Sequence, residues 1–115
     1  MTMIRLPWPP AKSSANGSQG DYRGKARAGK AYKQECALEC MAQRIPRNLT
    51  AVERVSITFY PPRNGKYDLD NHLGKLKRGL DAVSEHIGVD DADWQSMSLH
   101  RGKKVAGGSV VVVIE

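Results

Sequence analysis

Cysteine is scarce: the chain has two, Cys36 and Cys40, one helical turn apart, and neither a second Cys pair nor a nearby His pair completes a zinc site. That excludes a disulfide-stapled scaffold and reads as reduced thiols in a reducing compartment. No apolar run approaches the length of a membrane span, and the opening Met1-Thr2-Met3-Ile4 lacks the basic and apolar regions of a secretory signal. A cytoplasmic protein without a membrane partner is expected. Repeats and a second domain are missing too, so residues 1–115 read as one small globular domain. A domain of this size buries a modest share of its surface, which makes a homodimer a natural supplement. Nor does acid dominate: the formal net charge is +6 and the pI about 9.6. The excess of lysine and arginine implies a polyanionic partner.

What acid there is gathers in two places. Tyr67–Asp93 opens on Asp68 and Asp70 and closes on Asp90, Asp91 and Asp93. Between them Leu73, Leu76, Leu80, Val83 and Ile87 recur at the spacing of one helix face. Asp70 or Asn71 suits the N-cap of this helix, and Gly88 its end. The two clusters can meet only if the chain folds back along the helix after Gly88. Converging carboxylates repel unless a cation sits among them, and hard oxygen donors suit magnesium or manganese. Three or four carboxylates drawn from Asp68, Asp70, Asp90, Asp91 and Asp93 are thus candidate metal ligands, in a site open to water and phosphate oxygens, as phosphodiester hydrolysis requires. Taken singly, each motif also reads as ordinary capping or a solvated turn. Lys77, two helical turns after Asp70 and on its face, could neutralise a phosphate during cleavage; it could equally pair with Asp81. Lys75 and Arg78 point outward by the same rotation. His72, His86 and His100 stand singly and read as surface or partly packed residues, with His72, in the first turn after Asp70, the one to watch.

The ordered set Asp68-Leu69-Asp70-Asn71, then Lys77, Leu80, Asp81 and Ala82 as K-x-x-L-D-A, then Asp90-Asp91 resembles the RusA family of crossover junction endodeoxyribonucleases. The opening Leu6-Pro7-Trp8-Pro9-Pro10 is similar to that family's start, and the resemblance runs over nearly the whole chain. It implies a small α+β homodimer that binds branched DNA, the four-way Holliday junction, and cuts two opposed strands with Mg2+. It places the catalytic aspartates on Asp68, Asp70 and Asp91, with Asp90 adjacent. For the catalytic lysine, counting back from Asp81 selects Lys77, whereas counting forward from Asp70 lands near Gly74 and Lys75; Lys77 is preferred because it keeps to the Asp70 face.

The remaining chain reads as support. Met3–Leu6 is a short strand ended by prolines, with Trp8 as a packing anchor. Ala11–Gly24 reads as a loop carrying Lys12 and Arg23. Lys25–Arg44 is a helix with a core stripe of Leu38, Met41 and Ile45 beside Ala31 and Ala42. Lys25, Arg27, Lys30 and Lys33 crowd its first turns against the helix dipole, which suggests phosphate contact. Val52–Tyr60 alternates as a strand, with Val55, Ile57 and Phe59 on one side. Arg63 and Lys66 follow in a basic turn, as further DNA contacts with Lys75 and Arg78. Trp94 packs the turn after Asp93, Gly107-Gly108 makes a hairpin, and Ser109–Ile114 is a strand buried on both faces, inside the sheet or at a dimer interface. The expected fold is α+β, a small mixed sheet with two helices packed on it, in the order β-α-β-α-β-β. Two functions follow: a magnesium-dependent nuclease for four-way or other branched DNA, or a non-catalytic DNA-binding accessory protein whose aspartates are structural.

Overall fold

A computed structural model describes residues 1–11, 22–66 and 68–115. Its elements are β1 (Thr2–Leu6), α1 (Tyr22–Ala42), β2 (Arg54–Tyr60), α2 (Leu69–Ile87), β3 (Ser96–Arg101) and β4 (Ser109–Ile114), with a 3-10 turn at Asp91–Asp93. The architecture is α+β, in the expected order. The strands form one mixed sheet ordered β1-β4-β2-β3. β4 is antiparallel to both β1 and β2, while β3 lies parallel to β2.

Alternation decides which sheet face is covered. Ile4 and Leu6, Val55, Ile57 and Phe59, and Val110, Val112 and Ile114 turn into one core with Tyr32, Cys36, Leu76, Leu80 and Val83 from the helices. Met3, Ser56, Val111 and Val113 alternate with them on the other side, where they are exposed or half-buried. β4 therefore sits inside the sheet, as expected, but only one of its faces is fully buried. Gly107 and Gly108 do turn the chain, with φ of 76° and 75°. They do not close a hairpin, because β2 intervenes between β3 and β4.

α1 begins at Tyr22, so Arg23 and Gly24 belong to its first turn and not to a loop. Its core stripe also differs from the expected one. Leu38 and Met41 are 63% and 57% exposed, and Ala31 and Ala42 are exposed too; the buried positions are Gly29, Tyr32, Cys36 and Cys40. The reason lies across the interface. A Cβ on Gly79 of α2 would stand 2.9 Å from Tyr32 Cε2 and 3.1 Å from Cys36 Sγ. The helices approach along small residues, which leaves no room for Leu38 or Met41 at the seam. Ile45 is buried, as expected. Both thiols are free and buried, and burial pushes each above its ordinary range, Cys36 to about 12.

α2 follows its pattern closely. Leu76, Leu80, Val83 and Ile87 are buried and Leu73 packs partly against them. Gly88 ends it in the left-handed conformation at φ 79°, with its N–H donating to Ser84 O at 3.0 Å. Trp94 packs the exit as expected, its Nε1 donating to Val89 O at 3.2 Å. Trp8 is likewise an anchor, edge-on to Phe59 with centroids 6.2 Å apart.

Candidate functional site

The β2–α2–β3 unit positions the acidic residues. Because β3 runs parallel to β2, α2 must carry the chain from the finish of β2 back towards its start. Asp68 and Asp70 therefore lie at the entrance of α2, and Asp90–Asp93 beyond its other end.

At the entrance Asp68, not Asp70 or Asn71, is the N-cap: its backbone is extended, with φ −77° and ψ 130°, and Leu69 is already helical. Its carboxylate makes no capping bond. The Asp68 carbonyl accepts from His72 N–H at 3.2 Å, and Asp70 Oδ1 from Asn71 N–H at 3.0 Å. Both carboxylates are exposed. Just inside, His72 is 4% exposed, against Trp8 and Phe59 at centroid distances of 5.0 and 5.1 Å. Burial pulls its imidazole below the usual histidine value, Lys75 and Arg101 add to this, and Asp68 opposes it.

Beyond the exit the chain does return along the helix. Lys77 Nζ donates to Asp91 Oδ2 at 2.5 Å and stands 3.5 Å from Asp81 Oδ1. The contact holds the Asp91 carboxyl below the usual carboxylate range, first through Lys77, and holds Lys77 above its own ordinary value. Asp90 Oδ1 accepts from Ala92 N–H at 3.0 Å and caps the 3-10 turn. A groove of about 430 Å3 opens here between Asp81, Glu85, Asp90 and Asp91, with Lys33 on its rim held to Glu85 at 2.7 Å. Asp81 and Glu85 were not among the expected site residues; their spacing of one helical turn on the Lys77 side is the signal for them.

The return thus delivers Asp91 to Lys77, while Asp68 and Asp70 stay at the entrance. Asp70 and Lys77 are separated by about 10 Å of helix axis. Among the described residues no three His, Cys, Asp or Glu side chains gather as a set that could hold a metal ion. The donors available at the entrance are a pair of hard carboxylate oxygens, which suit magnesium where phosphate oxygens and water complete its shell. Of the two lysines, Lys77 contacts Asp91, whereas Lys75 is half-buried and its charge acts on His72.

The basic residues flank both ends. Arg23, Arg27 and Lys30 are exposed on the first half of α1, with Lys25 half-buried beside them. Arg78 lies across from them, its Cγ 3.3 Å from where a Cβ on Gly29 would stand. Arg63 and Lys66 are exposed between β2 and α2. Lys12 lies outside the described residues.

No protein-family model matches the chain. It is similar to an uncharacterized protein of Xylella fastidiosa (strain Temecula1), with 32% identity over 120 residues that cover 99% of this chain and 76% of that protein.

Proposed function

The chain belongs to one family with that Xylella fastidiosa protein, and we propose that its activity is that of a magnesium-dependent endonuclease cutting branched DNA, the four-way junction in particular. The observation that carries the reading is the Lys77–Asp91 contact, which joins two members of the ordered acidic and basic set across the whole return from α2. In this reading Asp68 and Asp70 would hold the divalent ion, which supplies Lewis-acid polarisation of the phosphodiester when bound. Lys77 holds Asp91 ionised and offers a cation to a phosphate oxygen. Arg23, Lys25, Arg27, Lys30 and Arg78 take backbone phosphates, which set register without reading sequence. A junction with twofold symmetry calls for two cuts, and a C2 dimer with one site in each subunit matches it. The half-buried Val111 and Val113 beside exposed Met3 on the open sheet face support a second copy there.

The test is a labelled synthetic four-way junction and a matched linear duplex, each with magnesium and with EDTA. Paired nicks in the junction alone, and only with magnesium, are expected. Asp70→Asn should keep junction binding and slow cleavage by about two orders of magnitude or more; cleavage at the wild-type rate would sink the assignment. The rival reading, a DNA-binding accessory protein, draws support from the exposed basic face of α1. It expects binding without cleavage under every condition.

A further inference from the structure

A second feature adjoins the entrance to α2. The residues leaving β2 and those leaving β3 run side by side: Gly102 N–H donates to Phe59 O at 2.7 Å, and Val105 N–H to Pro61 O at 2.9 Å. Gly102 is required there, since an added Cβ would stand 2.4 Å from the Tyr60 ring. Behind this fixed wall is a cavity of about 190 Å3 whose lining includes Arg63, Arg101, Lys103, Lys104 and the buried His72. Among the described residues none of these four cations forms an ion pair. All four are exposed around its mouth, so solvent screens their mutual repulsion, and what they give the cavity is a positive field that favours an anionic occupant. Arg101 ends β3 and Lys103 and Lys104 follow it in the β3–β4 connection, a local basic run to which the fold adds Arg63 from the β2–α2 connection.

We propose that this cavity binds a phosphate of a nucleic-acid strand, next to the one presented to Asp68 and Asp70 and not itself cut. The class of ligand rests on the nuclease reading; the site itself rests on its geometry. Arg63 and Arg101 supply planar donor forks suited to phosphate, Lys103 and Lys104 supply point charges, and the His72 ring forms the floor. The Asp68 carbonyl accepts from His72 N–H at 3.2 Å, so the cavity adjoins the entrance where the acidic pair stands.

Binding is the measurement, not cleavage. The affinity of a short fluorescein-labelled DNA duplex is followed against salt for the wild type, for Arg101→Ala/Lys103→Ala, and for Arg54→Ala, which removes a cation at the other end of β2. The double variant should weaken binding about tenfold or more and lower the salt slope by about 1, the value for one lost phosphate contact; Arg54→Ala should leave the slope in place. The His72 ring proton signals should move on adding a 5′-phosphorylated oligonucleotide. Matching slopes for the two variants, or unmoved His72 signals, would overturn the pocket while leaving the nuclease reading intact. Inorganic phosphate moving those signals as strongly as the oligonucleotide, at equal phosphate concentration, would make it a site for free phosphate and overturn the nucleic-acid occupant. No binding of DNA by the wild type overturns both proposals. A junction that is bound but never cut, with the double variant behaving as expected, keeps the pocket and removes the nuclease.

Discussion

His72 is buried between Trp8 and Phe59, so its neutral ring is the form the fold prefers. The unfolded chain takes up a proton near pH 6.5, while the folded chain resists it until lower pH. Below that unfolded value the unfolded state binds more protons, so stability is complete above about pH 6.5 and falls as the pH drops towards the lower folded value. Urea midpoints at about pH 7.5 and about pH 5 should differ in that direction, and His72→Phe should flatten the difference; equal slopes would show that another group titrates. Lys77 is a different case, because its side chain is 59% exposed and water screens the pair. Lys77→Met should cost no more than about 1 kcal/mol, yet the Asp91 carboxyl should return upwards towards the ordinary range, as a carbon-detected NMR titration would record. The sign of each shift agrees: the Asp91 contribution is lost as pH falls through its lowered value, and the Lys77 contribution as pH rises through its raised one.

At the scale of elements, the two helices teach opposite lessons about legibility. α2 was readable because its large apolar residues are also its buried ones, at the period of a helix face. α1 was readable as a helix but not as to its face. Its seam is built from Gly29, Cys36 and Cys40 beside Tyr32, while the bulkier Leu38 and Met41 face outward, so apolar size points the wrong way. Only the partner surface, with Gly79 against Tyr32 and Cys36, decides the matter. Leu38→Lys should therefore change stability by less than about 0.5 kcal/mol. Gly79→Ala gains helix propensity but drives a methyl into that seam, and a net loss of about 1–2 kcal/mol is expected by urea titration. The N-cap shows the same limit at finer grain, since the expected candidates Asp70 and Asn71 lie two and three residues past the observed cap, Asp68.

At the scale of the whole molecule, element order was legible and pairing was not. β3 and β4 are consecutive and joined by a glycine turn, which reads as a hairpin; the sheet inserts β2 between them. The same non-local pairing spreads the acidic residues along α2, and it brings Arg63 of the β2–α2 connection to the basic run Arg101, Lys103 and Lys104 at the end of β3. The run at 101–104 is visible in the sequence, but no local pattern encodes its meeting with Arg63 or the spacing of the acidic residues. The open sheet face makes a prediction at this scale. If a second copy covers it, the protein should sediment as a dimer, and Val111→Lys should yield a folded monomer that binds a four-way junction more weakly.

β4 is drawn from residues 109–114, yet it is the strand on which both β1 and β2 are laid. During synthesis β1 and β2 emerge before the strand that unites them, so β1 stays unpaired and β2 keeps one edge open until residues 109–114 are made. Native assembly must wait for this late segment, and until then the apolar edges of the nascent polypeptide are left to a chaperone or to chance.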